Sequence, residues 1–308
     1  MSKWSLLLFT AYFCFGHAFD EEVLEAYAQV SDIYHPTFAD LRTIQTYFSS
    51  YDRPYERMGP KAHIIHDFKL IGESPEELPI VHCIPVNCTD EMRENCIITY
   101  ASFNQRYPLG VKRLINSICR SDFIGHLRYR IGGWPNVEGG DLVLSHIPFA
   151  FKACFFKEVQ KMGYKRILWI DSSILPVVSL NQIFEMIAEE GYFILENWHT
   201  LGDYMNPYAA EAFGLTVEEV CSIKSCQALL IGIDFSNAKA TELIDRWYAA
   251  AKHPYAFYSV LSDQNALSIL LYQMGMDRLK PLQSLGHIRE AHPNMLFAID
   301  RDFVKDDR

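Results

Sequence analysis

From Cys96 onward, hydrophobic positions follow two alternating patterns. Short apolar runs predict buried strands, and they occupy 97–100, 167–170, 192–195 and 228–233. Longer stretches with apolar residues every three or four positions predict amphipathic helices, and they occupy 148–162, 180–190, 237–252 and 262–274. Strands that alternate with helices in this way are typical of an α/β domain.

Glycine, proline and serine mark the ends of these predicted helices. Gly163, Gly191 and Gly275 each stand directly after or near the last apolar position of a helix, where glycine readily adopts the left-handed conformation that ends a helix. Pro148 suits a first helical turn because its missing N–H has no helical partner there. Ser262 is predicted to be the N-cap of the last helix.

The first 18 residues predict a secretory signal peptide. Lys3 precedes an apolar run from Trp4 to Phe15, and small residues at Gly16 and Ala18 suit a cleavage site. The alternatives are an uncleaved anchor and a buried first helix, but the run is shorter than the ~20 residues that span a bilayer. No later segment resembles a transmembrane span. Export therefore places the protein in the secretory pathway, in a lumen or periplasm, or outside the cell.

Residues 19–95 are strongly acidic and predict an N-terminal extension that packs on the main domain. Helical patterns occur at 21–30 and 37–50, followed by a stretch interrupted by prolines. The main domain is predicted to cover 96–290, and 291–308 form a C-terminal tail. We place the first boundary near Cys96 because the excess of acidic residues ends there.

Composition excludes several classes of protein. The chain has 308 residues, of which 49% are hydrophobic and 21% charged, as in a compact globular protein rather than a disordered one. The formal net charge is −10. A general affinity for nucleic acid is therefore not expected, because binding phosphates requires a positive field.

Export would allow the cysteines to form disulfides. Removal of Cys14 with the signal would leave an odd number of cysteines. We predict local disulfides within the two groups Cys83, Cys88, Cys96 and Cys221, Cys226, with Cys154 as a buried free thiol. Zinc is a weaker alternative, since neither group contains the Cys-x-x-Cys spacing.

Three predicted strands end in a carboxylate, namely Asp171, Glu196 and Asp234. In open α/β sheets, ligands bind outside the carboxyl ends of the strands, so acidic residues there are candidates for a site. The alternative is that any strand leaving the core meets polar residues at its end. Asp171 is the strongest candidate, because it follows a fully apolar strand and precedes two serines, Ser172 and Ser173.

Four segments together resemble one enzyme family. They are Lys165–Ile174 with its Ile-Asp-Ser-Ser core, Gln227–Asp234, Ser262–Leu267 with its Asp-Gln-x-x-Leu pattern, and Gly286-His287. Their order is similar to that of GT-A-fold glycosyltransferases, in particular glycogenin-like and lipopolysaccharide galactosyltransferase-like members. The resemblance implies a Rossmann-type mixed sheet flanked by helices. It also implies an exported enzyme that moves a sugar from a nucleotide-sugar donor to a glycan, lipid or protein acceptor.

The resemblance also implies roles for individual residues. Asp171 and His287 would bind Mn²⁺ or Mg²⁺ together with the donor diphosphate, and Asp263 and Gln264 would orient the sugar or the acceptor. The residues expected at the nucleotide and its phosphates are Tyr100, Ala101, Ser102, Arg106, Arg130, Lys152 and Ser173. Ser173 stands where the family has the second Asp of an Asp-x-Asp motif, and a hydroxyl is a much weaker ligand for a hard cation than a carboxylate.

Cationic side chains are the alternative to a metal for neutralising the leaving diphosphate. A basic cluster comprises Arg106, Lys112, Arg113, Arg120, Arg128 and Arg130. The competing interpretation is that these residues are the solvated faces of one helix and one strand. Lys152, on the helix before Asp171, is either a further phosphate ligand or a surface cation.

Two other functions compete with the transferase. The first is a non-catalytic protein of the same fold that has lost the second Asp and binds a glycan or a nucleotide sugar. The second is a secreted glycoside hydrolase, whose two acidic residues need no fixed spacing in sequence. The Gly-x-Ser-x-Gly and His-Glu-x-x-His patterns of the commonest serine and zinc hydrolases are missing from the sequence.

Overall fold

A computed structural model describes residues 81–101, 107–131, 149–253, 255–257, 259, 261–287 and 292–299. The predicted signal peptide and the helical patterns at 21–30 and 37–50 lie outside these residues. Ser102, Arg106 and the end of the C-terminal tail also lie outside them. The described part is a mixed α/β fold in which helices flank a sheet of parallel and antiparallel strands, as the sequence predicts.

The strands are β1 (Val81–Val86), β2 (Asn95–Ala101), β3 (Gly125–Ile131), β4 (Arg166–Ile170), β5 (Ile174–Pro176), β6 (Tyr192–Thr200), β7 (Lys224–Asp234), β8 (Leu285–His287) and β9 (Phe297–Ile299). The helices are α1 (Tyr107–Cys119), α2 (Phe151–Lys161), α3 (Leu180–Glu190), α4 (Pro207–Ala212), α5 (Val217–Cys221), α6 (Ala238–Ala251) and α7 (Ser262–Gln273).

Six strands form the main sheet in the order β1-β3-β2-β4-β7-β6. Strands β3, β2 and β4 are parallel, and β7 runs antiparallel to both β4 and β6. It follows that β6 runs in the same direction as β4. The carboxyl ends of β2, β3, β4 and β6 therefore lie along one edge of the sheet, and β7 begins at that edge.

Side chains of the central strands alternate between two cores. Ile167 and Trp169 belong to the core that includes residues of α2, α6 and α7, whereas Leu168 and Ile170 belong to the core that includes residues of α1 and α3. Successive strand residues point to opposite faces of a sheet. The uninterrupted apolar run of β4 thus reflects burial on both faces, as in other helix-covered parallel sheets.

The folded unit extends past both bounds that the sequence suggested. Strand β1 lies within the segment predicted as an N-terminal extension, yet it pairs with β3 of the main sheet. Strand β9 lies within the predicted tail and joins a smaller sheet of order β5-β9-β8. The bounds at 96 and 290 are therefore too narrow, since charge composition does not register strand pairing.

Most predicted helix ends are confirmed. Gly191 follows α3 with φ of 85°, in the left-handed conformation that favours glycine. Ser262 is a correction, because it is the first residue of α7 and Leu261 is the N-cap.

All seven cysteines of the described residues are free thiols, so the structure contains none of the predicted local disulfides. Cys221 is exposed at the end of α5, whereas Cys226 is buried in β7 beside Ser268. Their closeness in sequence therefore does not bring the two sulfur atoms together. Cys154 is buried, as predicted.

Among the helices that the structure describes, none combines the length and the apolar character needed to cross a membrane.

Candidate functional site

Asp171 stands at the carboxyl edge of the main sheet. It follows β4 directly, and its backbone N–H donates to the carbonyl of Leu229 in the neighbouring strand at 3.0 Å. The side chain keeps 23% of its surface exposed. This carboxylate is therefore held by the sheet and still reaches solvent, as a residue that meets a ligand must.

Lys152 links Asp171 to Asp263. Its ammonium lies 2.8 Å from Oδ2 of Asp263 and 3.6 Å from Oδ1 of Asp171, and it donates to the carbonyl of Ala228 at 2.9 Å. The side chains of Lys152 and Asp263 are only 6% and 7% exposed. A charge this deeply buried is stable only when it is paired. We call Lys152, Asp171 and Asp263 the charged triad.

Aromatic rings enclose the lysine of the triad. The ammonium lies 5.6 Å from the ring centroids of both Phe149 and Trp169, at a distance where a cation is attracted to a ring face. The indole N–H of Trp169 donates to Oδ1 of Asp171 at 2.6 Å. Phe149 has φ of 63°, a strained conformation for a residue with a side chain. The triad is thus fixed by contacts from several directions.

Burial raises the pKa of the Asp171 carboxyl above its usual value. The Lys152 ammonium and the Trp169 hydrogen bond lower it, and the Asp263 carboxylate raises it further. The net direction is upward because the loss of water around the carboxylate outweighs the attraction of the lysine.

This raised pKa predicts how the stability of Asp171→Asn compares with that of the wild type as pH changes. A carboxyl whose pKa is higher in the folded state stabilises the fold while protonated, and that contribution is lost as pH rises through the folded pKa. The free energy of unfolding of the variant, minus that of the wild type, should therefore rise between pH 3 and 7, by about 1.4 kcal/mol per pKa unit. Urea unfolding of both proteins measures this difference. A difference that is constant or falls with pH would contradict the assignment.

Gln264, next to Asp263 in α7, forms two hydrogen bonds to residues of β7. Its Nε2 donates to Oγ of Ser225 at 3.1 Å, and its Oε1 accepts from the N–H of Ala228 at 3.4 Å. Ala228 also holds Lys152 through its carbonyl. Gln264 is therefore a positioning residue that holds α7 against β7, the strand whose Ala228 contacts Lys152.

Several predicted site residues have partners inside the fold. Tyr100 and Ala101 end β2 but are buried, and Tyr100 stacks on Phe151 of α2 with the ring centroids 4.2 Å apart. Arg130 pairs with Glu158 of α2. These side chains contribute to packing and to an ion pair, and their assignment to the nucleotide and its phosphates stays a prediction. Ser102 and Arg106 lie outside the described residues.

The predicted metal ligands belong to different sheets, since Asp171 follows β4 of the main sheet and His287 lies on β8 of the small sheet. Among the described residues, no group of three or more His, Cys, Asp or Glu side chains comes together as ligands. His287 pairs with Ile299 of β9 in the small sheet, and Ile299 pairs with Ile174 of β5. Two strand spacings therefore separate the backbones of His287 and Ile174, a distance of about 10 Å. Ser173 is buried. The Lys152 ammonium next to Asp171 would moreover repel a bound cation.

Glu196 and Asp234, the other predicted strand-end carboxylates, have separate partners. Asp234 is buried at the opposite edge of the sheet, because β7 runs antiparallel to β4, and it accepts from Nε of Arg166 at 3.1 Å. Glu196 pairs with Lys224 near the start of β7. Of the three carboxylates, only Asp171 belongs to the triad.

The sequence analysis did not identify Trp169 and Ser225 as site residues. Trp169 precedes Asp171 by two positions, and this spacing places both side chains on the same face of an extended strand, so it could have predicted their contact. Ser225 carried no such signal, since its role depends on the pairing of β7 with β6 and α7.

Comparison with known proteins does not assign the chain to a family. No protein-family model matches the sequence, and no curated protein is significantly similar to it. The function is therefore argued from the site alone.

Proposed function

We propose that this protein is a glycosyltransferase that uses a nucleotide-sugar donor. The observation that supports this most is the charged triad. It combines a buried cation, a buried carboxylate and a partly exposed carboxylate at the edge of an α/β sheet where ligands bind. Transfer from a nucleotide sugar requires positive potential for a diphosphate and a carboxylate near the reacting sugar.

Two helix starts add positive potential to the site. Lys152 is the second residue of α2 and Asp263 is the second residue of α7, so their ion pair joins the first turns of both helices. The amino end of a helix carries roughly half a positive charge and favours anions. The negative excess of one lysine and two carboxylates is thus partly offset by the two helix starts.

In the proposed reaction, the bond between C1 of the sugar and the β-phosphate oxygen breaks, and its electron pair leaves with the nucleoside diphosphate. An acceptor hydroxyl oxygen forms the new bond to C1 and gives up its proton. Asp171 is the exposed member of the triad, and a carboxylate with a raised pKa is suited to accept that proton. Lys152 and Asp263 hold Asp171 in place and set the charge around it.

The same geometry supports a reaction without a divalent cation. The predicted ligands Asp171 and His287 belong to different sheets, and the Lys152 ammonium lies 3.6 Å from Oδ1 of Asp171. We propose that the two helix starts provide the positive charge for which enzymes of the GT-A family use Mn²⁺ or Mg²⁺, while Lys152 balances the buried carboxylate of Asp263. The predicted export to a lumen, periplasm or the cell exterior remains part of the proposal.

A second candidate function is a non-catalytic protein that binds a nucleotide sugar or glycan. It is favoured by one observation, namely that Oδ1 of Asp171 is already occupied by Trp169 and Lys152. The two functions differ in turnover, since only the transferase releases nucleoside diphosphate.

The experiment is a thermal-shift panel of UDP-, GDP- and CMP-sugars, with Mn²⁺ in one arm and EDTA in the other. We expect one nucleotide class to raise Tm equally in both arms, because a ligand that binds only the folded state stabilises it by mass action. Acceptor-dependent release of the nucleotide from that donor, which is UDP or GDP for the first two classes and CMP for the third, supports the transferase. A shift seen only with Mn²⁺ would contradict metal independence. If no nucleotide sugar stabilises the protein and it cleaves glycans without one, the glycoside hydrolase is correct instead.

A further inference from the structure

An irregularity in β6, the second strand away from β4 in the main sheet, exposes a tryptophan. Glu196 pairs with Cys226 and Thr200 with Lys224, so that 197–199 oppose the single residue Ser225. Extra residues in one strand redirect side chains and are common beside binding sites. Here Asn197 is buried, whereas Trp198 is 77% exposed.

Other aromatic rings continue from Trp198. Its ring centroid lies 5.1 Å from that of His199, which lies 4.6 Å from the ring of Tyr204. On α4, Tyr208 is 58% exposed and lies 5.8 Å from the ring of Tyr255. We call these five residues the aromatic surface. Trp198 and Tyr208 are exposed, and the other three rings are partly buried beside them; exposed large rings that pack on other rings are typical of a binding surface.

Hydrogen bonds connect the aromatic surface to the triad. Asn197 Oδ1 accepts from the backbone N–H of Trp198 at 2.9 Å and from Gln227 at 2.8 Å. Nδ2 of Asn197 donates to Oγ of Ser225 at 3.5 Å, and the same oxygen accepts from Gln264, the neighbour of Asp263. Because β6 and β4 run in the same direction, Trp198 near the end of β6 and Asp171 directly after β4 lie toward the same edge of the sheet.

This combination of groups suits a carbohydrate. Ring faces of Trp and Tyr carry the negative part of the aromatic quadrupole, and the C–H groups of a pyranose face carry partial positive charge. Amide side chains such as Gln227 offer both a donor and an acceptor, which match sugar hydroxyls. Beside the bulge, Glu196 and Lys224 form an ion pair with no net charge, whereas an anionic lipid surface would require clustered positive charge.

We propose that the aromatic surface is the acceptor subsite of this enzyme and binds a glycan chain through stacking on Trp198. The role of this surface as an acceptor site rests on the proposed function. Its binding of carbohydrate does not, and can be measured without the donor. Of the predicted acceptor classes, the glycan is therefore favoured over the lipid and the protein.

The test compares wild type, Trp198→Ala and Trp198→Phe on a glycan array of hexose, N-acetylhexosamine and pentose oligosaccharides. The best tetrasaccharide is then titrated by calorimetry. We expect Trp198→Ala to weaken its binding by about tenfold or more, and Trp198→Phe to keep most of it, because stacking needs a ring. Tyr272→Ala is the matched control, since Tyr272 is 58% exposed on α7 but lies near the opposite end of that helix from Asp263. Its binding should equal that of the wild type.

Several results would overturn the subsite. The subsite is refuted if the wild type binds no glycan, or if Trp198→Ala binds the glycan as tightly as the wild type. It is also refuted if the wild type is a dimer that Trp198→Ala converts to a monomer, because the surface is then a contact between two copies. The thermal-shift panel separates this failure from that of the proposed function. Donor stabilisation without glycan binding refutes the subsite alone, whereas Trp198-dependent glycan binding without any donor effect supports a carbohydrate surface and refutes the transferase.

Discussion

Lys152→Met is expected to lower the free energy of unfolding by about 3–5 kcal/mol. Methionine keeps much of the apolar volume but removes the ammonium that contacts both Asp171 and Asp263. Asp263 then remains buried without a counter-charge, which is the costly outcome when one partner of a buried pair is removed. Urea unfolding at neutral pH measures the change.

Two further variants show whether the loss arises from the unpaired carboxylate. The double variant Lys152→Met with Asp263→Asn should recover part of the stability, because it removes the buried charge that lost its partner. Lys165→Ala is the control for deleting a lysine, since Lys165 forms an exposed pair with Glu94 and should cost less than about 1 kcal/mol. If Lys152→Met were as stable as Lys165→Ala, the triad would not be a structural unit.

Asp171→Asn is expected to slow transfer of the sugar to the acceptor, measured as nucleoside diphosphate released, by a factor on the order of 10²–10⁴, the range for losing a proton-accepting group. Asparagine has the same shape but cannot take up the acceptor proton. The fold should persist, because the change also removes a carboxylate that burial disfavours. The measurement is kcat with saturating donor and acceptor, together with the thermal shift of the variant.

Asp245→Asn provides a matched control for this substitution. Asp245 pairs with Lys157 and is half exposed, away from the triad. It should retain the wild-type rate. A rate for Asp171→Asn above about half of the wild-type value would exclude Asp171 from the chemistry, since even the weakest general-base effects are much larger.

The sequence predicted the central elements well and the site only in part. The run 167–170 identified β4, because only a strand buried on both faces is apolar at every position. Asp171 was found for the same reason. Strand direction, in contrast, is not encoded in an apolar run, and the antiparallel course of β7 moved Asp234 to the opposite edge.

Lys152 shows why long-range pairing is harder to predict. On the sequence it is one cation on a helix, and surface exposure was an equal alternative. Its burial results from two carboxylates, at 171 and 263, that lie far along the chain from it. The bulge that exposes Trp198 likewise depends on the register of β6 against β7. The hydrophobic pattern of neither strand predicts that register.

The most direct test of the central claim is a crystal structure with the nucleotide sugar that stabilises the protein most. We expect the diphosphate at the carboxyl edge of the main sheet, near the first turns of α2 and α7, with the sugar beside Asp171 and no divalent cation between them. A diphosphate bound elsewhere on the protein, or one bridged to Asp171 and His287 by a metal ion, would contradict the account.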